Sequence, residues 1–399
     1  MPGKYKIDTH CVVEYDDQVS TKPHILPIYA TSSFEMEGMD EAAEIFKGKN
    51  PGHVYGRYGN PTIDTTAKKI ADLEGFGLGI SAYAFMTSSG MSAISVLVQS
   101  ILKSGSVIIT QEDLYGGTTE LFKTVFSQFN ITTSQIDLNN HELLEQLLKK
   151  DAIPKVVYIE TPSNPVCTCI DIEKVVTLCK KYDVMTIVDN TFCTPMIQQP
   201  FGLGADFIIH STTKYLNGHG NSIAGVIVGH NENYRASIGK FLKLIGATCN
   251  PFDAWLVYNG LKTLGLRMER HSLNAKTLAD YLNSHPKINN VNYVGLPNHK
   301  GYEIAKKQMK MSGGMLSFEV KGGFLAAKKL MNALRLATYA PTLGDVNTLV
   351  LHPRTSSHLN VNPEICEKNG ITEGLIRVSV GIENISDIIR DFSEALEKI

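Results

Sequence analysis

Apolar residues recur along this chain with two spacings, and the alternation between those spacings is the main clue to its fold. Short runs of β-branched and aromatic residues at 80–86, 107–110, 131–136, 156–161, 185–189, 207–210 and 224–228 read as buried strands. Longer stretches with helical spacing, such as MSAISVLVQSILKSG from residue 91, separate most of them. This order predicts an α/β fold with a mostly parallel sheet wrapped by helices.

The character changes near Asn250. Helical patterning through DAWLVYNGLKTLGLRMERHSLNAKTLADYL, followed by strand-like MLSFEV and LIRVSVG, predicts a smaller C-terminal α+β domain. The first sixty residues, punctuated by Pro23, Pro27, Gly52, Gly56, Gly59 and Pro61, read as an extended arm able to contact a neighbouring subunit. The expected boundaries are an arm over 1–60, a large domain over 61–250 and a C-terminal domain over 251–399.

Composition narrows the function classes. A chain of 399 residues, 43% hydrophobic and 20% charged, can bury a core in each of two domains. A formal net charge of −2 supplies no basic excess for a phosphate backbone or an anionic bilayer, so neither nucleic acid nor membrane is an expected partner. The opening MPGKYKIDTHCVVEYDD has no apolar targeting core, and no run approaches the roughly 18 apolar residues of a membrane span, so a cytoplasmic protein is expected. Seven scattered cysteines fit reduced thiols better than a disulfide framework. Cys167 and Cys169 alternate as if on one face of an extended segment, but no further ligand falls at zinc-site spacing, and no metal is expected.

Candidate chemistry gathers at the carboxyl ends of the strands, where open α/β sheets place polar ligands. In DFIIHSTTKYLNGHG, residues 206–220, Lys214 follows an apolar strand among hydroxyls and glycines. Partial burial there would lower the amine's pKa and favour the neutral nucleophile that forms a Schiff base. A surface lysine in a turn is the plain alternative, and Ser211 and Thr213, a hydroxyl pair suited to a phosphate, weigh against it. Asp189 ends MTIVD and is either a helix cap or the anion that keeps a pyridine nitrogen protonated, and its pairing with Lys214 favours the second. Both features suit pyridoxal 5′-phosphate. SSGM, residues 88–91, opens a helix and offers free backbone N–H groups to a phosphate. GFGLG, residues 75–79, lacks the spacing and setting of a dinucleotide fingerprint.

The chain resembles the trans-sulfuration family of pyridoxal-phosphate enzymes that act in cysteine and methionine metabolism. The likeness runs through VYGRYGNPT (54–62), SSGMSAI (88–94), DLYGGT (113–118), ETPSNP (160–165), VDNTF (188–192), HSTTKYLNGHG (210–220), GLKTL (260–264) and LIRVSVGIE (375–383). It implies an aspartate-aminotransferase-like, fold type I, structure and a homotetramer built from dimers that share active sites. By the same resemblance Lys214 is the Schiff-base lysine and proton shuttle, and Tyr115 stacks on the cofactor ring and assists proton transfer. Asp189 partners the ring nitrogen, and Gly90, Met91, Ser211 and Thr213 cradle the phosphate. Tyr55 and Arg57 reach the neighbouring subunit's phosphate. Arg377, with Asn164 and Thr342, holds the substrate carboxylate, a structural salt bridge being the alternative for a strand arginine.

Several positions depart from the family's patterns. Gly117 stands where many methionine γ-lyases have cysteine, and Pro341 where cystathionine-handling members often have glutamate. Asn259, Tyr339 and Arg354 are also unusual. Arg354 reads either as a group for an acidic substrate tail or as a solvated loop charge. The preferred reading is a carbon–sulfur lyase performing γ-elimination on methionine- or homocysteine-like substrates. The alternative is γ-replacement on O-acetyl- or O-succinylhomoserine. β-Elimination on cysteine or cystathionine and a non-catalytic cofactor-binding protein stand further back.

Overall fold

Seven of the apolar runs fold into one sheet in the structure, a computed structural model that describes residues 6–12, 23–150, 155–359 and 361–399. Its strands are β1 (Tyr83–Thr87), β2 (Val107–Thr110), β3 (Thr132–Gln135), β4 (Lys155–Glu160), β5 (Met185–Asp189), β6 (Phe207–Ser211) and β7 (Gly225–Gly229). They lie in the order β1-β7-β6-β5-β4-β2-β3. Only β7 runs against the rest, pairing antiparallel with both β1 and β6. The mostly parallel sheet therefore forms as the alternation of strands and helices predicts. The carboxyl ends of β1, β2, β4, β5 and β6 all open on one edge.

Both faces of the sheet are covered, which is why its strands read as continuous apolar runs. Ile187, Ile209 and Ile227 pack with Ile94 and Leu97 on one side, whereas Ile208, Val226 and Val228 pack with Ile63, Ala67 and Ile70 on the other. The run at 80–86 becomes strand only from Tyr83, because β1 finds its partner over Gly225–Gly229 alone and Gly77 and Gly79 ahead of it turn with positive φ.

A second sheet contains β8 (Ile288–Asn292), β9 (Met315–Val320), β10 (Thr338–Tyr339), β11 (Leu349–Leu351) and β12 (Leu375–Ser379), in the order β10-β11-β12-β9-β8. β9 and β12 are the two strands legible from MLSFEV and LIRVSVG. The other three are short or polar, as in INNVN, and carry little periodicity. At the amino end, α1 (Ile7–Val12) and α2 (Met39–Phe46) interrupt the expected arm, of which residues 1–5 and 13–22 lie outside the described residues. The further helices that bear on the site are α3 (Pro61–Glu74), α4 (Gly90–Ile101) and α5 (Gly116–Glu120).

All seven cysteines are free and buried. Cys167 has φ +58°, so it and Cys169 do not alternate along an extended segment as expected. No helix among the described residues is long and apolar enough to cross a membrane.

Candidate active site

The edge where the parallel strands end opens into a cavity of about 260 Å³. Its walls bring together Gly90, Met91, Tyr115, Asn164, Asp189, Ser211, Thr213, Lys214 and Arg377, nine of the twelve residues singled out from the sequence. Thr342 touches it through Lys214. Tyr55 and Arg57 stand apart.

Lys214 sits in the turn that follows β6, where its N–H donates to the Ser211 carbonyl and its own carbonyl accepts from Gly218 N–H. Arg267, reaching in from the helix Leu264–Asn283, donates to the Tyr215 and Leu216 carbonyls and fixes the backbone just beyond the lysine. Gly218 has φ +73°, and a Cβ there would lie 2.1 Å from the Arg267 guanidinium, so this turn accepts only glycine. The Lys214 amine donates to Thr342 Oγ1 at 3.0 Å. Burial first, and the charge of Arg377 second, bring its pKa from the ordinary 10.5 down to about 8, against an opposing pull from Asp345.

Asp189 ends β5 one strand over. Tyr158 donates its phenol to Asp189 Oδ2 at 2.9 Å, and Oδ1 accepts the Thr191 N–H at 3.0 Å. Asp189 caps its own turn and still faces the cavity.

The end of the cavity beside α4 is shaped by close backbone approach. Ser89 caps α4 by accepting the Ser92 N–H, leaving Gly90 and Met91 at the positive end of the helix. A Cβ on Gly90 would fall 2.7 Å from Ser211 Cβ, and one on Gly225 would fall 2.2 Å from the Ser89 carbonyl oxygen. Both glycines thus let the SSGM loop lie against β6 and β7. Thr213 is pinned beside it by bonds between its hydroxyl and the Ala224 backbone.

Across the cavity, β12 presents Arg377, 3% exposed, whose guanidinium donates to the Thr342 carbonyl at 2.7 Å and to Asn164 Oδ1 at 3.5 Å. Its Nε is buried without a hydrogen-bond partner, and no carboxylate among the described residues lies within ion-pair distance of it. Burial lowers its pKa to about 10. The salt-bridge alternative is not what forms. A buried cation left with open donors on a cavity wall suits an incoming carboxylate.

Sequence reasoning did not single out Tyr158 or Glu160. Both lie on β4, whose Glu160 pairs in register with Asp189. Burial, and then the neighbouring Asp189, push the Glu160 carboxyl well above its usual pKa range. A glutamate ending an apolar strand, as Asp189 does, was the available signal.

The unusual positions separate clearly. Pro341 lines the cavity. Gly117 lies against the Tyr115 ring, where a Cβ would stand 2.7 Å from Cε1. Asn259 bonds its own helix at the Trp255 carbonyl, and Tyr339 is exposed on β10. Arg354 is ion-paired with Glu373 at 3.1 Å. Tyr55 is exposed and Arg57 half-buried, with the guanidinium over the rings of Tyr55 and Tyr58 and bonded to the Lys243 carbonyl.

These residues fit pyridoxal phosphate: an amine of lowered pKa, an aspartate across the sheet edge, and a helix end against which only glycine leaves room for an anion.

Comparison with known proteins agrees. The sequence profile described as Cys/Met metabolism PLP-dependent enzyme matches residues 8–397. The chain is 44% identical over 378 residues to an L-methionine gamma-lyase of Fusobacterium nucleatum, covering 94% of this chain and 93% of that one. It is 41% identical over 373 residues to a cystathionine beta-lyase of Lactococcus lactis, covering 94% of each. Its fold matches the crystal structure of cystathionine gamma synthase from Xanthomonas oryzae pv. oryzae in complex with cystathionine, with a TM-score of 0.92 and 34% identity, over 99% of this chain and 98% of that one.

Proposed function

The chain belongs to the Cys/Met metabolism PLP-dependent enzymes, and from that premise we propose that it is a carbon–sulfur lyase for amino acids with an uncharged γ-thiol or thioether. Its reaction takes methionine, homocysteine or a close relative, with water, to 2-oxobutanoate, ammonia and a thiol or, from homocysteine, hydrogen sulfide.

One observation carries this choice of substrate. The acidic and basic side chains on the cavity wall are all engaged already. Lys214 and Asp189 face the cofactor, Arg377 faces the substrate carboxylate, and Glu160 bonds backbone N–H groups. The rest of the wall is largely apolar, with Ile94, Pro162, Phe192, Ile223, Pro341 and Leu343. A second charged end on the substrate would have to be desolvated without a partner, which is costly. An uncharged side chain fits.

The residues divide the work as follows. Gly90, Met91, Ser211 and Thr213 hold the phosphate, and Asp189, steadied by Tyr158, holds the ring nitrogen. Bound there, pyridoxal phosphate supplies an electron sink that makes protons at Cα and Cβ removable. Arg377 and Asn164 grip the substrate carboxylate and orient Cα toward the lysine. Lys214 would hold the cofactor's aldehyde end and serve as the base for the Cα proton, with the Thr342 hydroxyl steadying its amine. Tyr115 lines the cavity, and its phenol would serve as the acid for the departing sulfur.

Tyr55 and Arg57, outside their own chain's cavity, serve the phosphate of a neighbouring subunit in this reading, within a homotetramer of paired dimers. The division into 1–60, 61–250 and 251–399 belongs to the same reading, supported by the two sheets lying within 83–229 and 288–379.

A second reading, γ-replacement on an acylated homoserine, is favoured by the likeness to the Xanthomonas structure. A product panel tests both. The lyase requires 2-oxobutanoate from methionine or homocysteine with no added thiol, and at least about tenfold less from cystathionine, for an unpaired buried charge. Product formed only when O-acetyl- or O-succinylhomoserine and a thiol are both present would reject the lyase, and pyruvate would indicate β-elimination.

A further inference from the structure

Glu160 is 6% exposed, and its two carboxylate oxygens are spent on two different walls of the cavity. Oε2 accepts the Tyr115 N–H at 2.9 Å, and Oε1 accepts the Asn164 N–H at 3.2 Å. Tyr115 caps α5, after β2, and Asn164 lies in the loop after β4, so the two N–H groups come from the loops that follow neighbouring strands. Asn164 in turn meets Arg377 through its side-chain oxygen.

Glu160 itself is held from behind. Its backbone N–H donates to Gln111 Oε1 at 2.9 Å, and the Gln111 side-chain amide donates to its carbonyl. The Gln111 side chain thus extends the β2–β4 ladder one residue past Thr110, the last paired position. This clamp leaves the carboxylate little freedom to follow either wall alone.

We propose that Glu160 is a positioning residue that fixes the separation between Tyr115, over the cofactor side of the cavity, and the Asn164–Arg377 grip on the substrate carboxylate. One buried carboxyl group bonded to both backbones makes the two walls move as one body. Glutamine keeps the size of the side chain but replaces one acceptor with a donor, so it can satisfy only one of the two N–H groups.

The test compares Glu160→Gln with Tyr115→Phe and Asn164→Ala, each loaded with cofactor, and reads kcat and KM separately. Losing one such hydrogen bond is worth on the order of tenfold. Glu160→Gln is expected to lower kcat and raise KM together by about that factor, whereas Tyr115→Phe lowers kcat alone and Asn164→Ala raises KM alone. Amide hydrogen exchange gives a readout independent of turnover: in Glu160→Gln without cofactor, exchange should quicken in the peptides containing Tyr115 and Asn164. Should Glu160→Gln fail to fold, Gln111→Ala, which keeps the carboxylate but releases its clamp, should shift both kinetic constants in the same directions.

Constants within about twofold of wild type in a folded Glu160→Gln, or in Gln111→Ala where it substitutes, would overturn the proposal. So would a change confined to one constant. The inference rests on Tyr115, Asn164 and Arg377 being the substrate-facing groups, and its failure is distinguishable from theirs: if that reading fails, Tyr115→Phe and Asn164→Ala are themselves unimpaired.

Discussion

The Lys214 amine donates to Thr342 Oγ1 at 3.0 Å, while the carbonyl of the same threonine accepts from Arg377 at 2.7 Å. One residue therefore touches the Lys214 amine with its side chain and the Arg377 guanidinium with its backbone. Thr342→Val removes only the first contact, because valine matches the shape and keeps the carbonyl. The expected result is a loss of kcat of about tenfold with KM little changed. A variant whose KM rises while kcat holds would show that the hydroxyl serves substrate binding instead.

Asp345 bears on the same amine through charge. Burial holds Lys214 at about 8, and Asp345 opposes that fall. At pH 7 roughly one amine in ten is then neutral and able to attack the cofactor's aldehyde. Capture of pyridoxal phosphate by the cofactor-free protein should accelerate as pH rises and level off above about 8. Asp345→Asn removes a negative charge that favours the ammonium form, so the midpoint moves to lower pH and capture at pH 7 quickens. Stopped-flow absorbance across pH checks the sign, and a midpoint displaced upward would contradict it.

How far the site was legible follows from where its residues sit. Asp189 and Ser211 end apolar strands and Lys214 and Gly90 lie just past them, and the periodicity that marks those strands also marks their ends. Tyr115 and Arg377 needed the resemblance, since an aromatic after a strand or an arginine within one more often serves packing or a salt bridge. The bond between Lys214 and Thr342 joins positions 128 residues apart, and no local pattern announces it. Glu160 was hidden differently: it reads as the last residue of a buried strand, and only the return of the 161–165 loop shows both oxygens committed. Tyr55 and Arg57 lie outside the cavity, so their proposed role depends on a subunit contact that a single chain does not display.

Arg354 was open to two readings, and its pairing with Glu373 favours the plainer one. Its Nε and Nη2 both donate to Glu373 Oε1 at 3.1 Å, and that carboxylate is half exposed. A partly solvated pair of this kind contributes about 0–1 kcal/mol, and Arg354 does not line the cavity. Arg354→Gln should alter turnover of methionine and of O-succinylhomoserine by no more than about twofold each. A selective fall with the succinylated substrate alone would mean that the arginine leaves Glu373 to read an acidic tail.

Gly90 offers the sharpest separation of cofactor binding from folding. Its hydrogen faces Ser211, and the methyl of Gly90→Ala would stand 2.7 Å from Ser211 Cβ, 3.0 Å from Cα and 3.1 Å from Oγ. Alanine favours the helix that begins here, so α4 should gain in propensity what it loses in fit. The strain must fall on Ser211, at the end of β6, one of the two hydroxyl groups proposed for the phosphate. Overpacking of this kind costs about 1–3 kcal/mol, equivalent to roughly tenfold to a hundredfold in affinity if it is felt only when phosphate is bound. Gly90→Ala should therefore weaken pyridoxal phosphate binding by at least about tenfold, read by titrating the visible band of the bound cofactor. The thermal midpoint of the cofactor-free protein should fall only modestly, because the gain in helix propensity offsets part of the clash with Ser211. A midpoint that falls sharply while the affinity of the surviving protein is unchanged would make the glycine a requirement of the strand–helix junction rather than of the anion cradle.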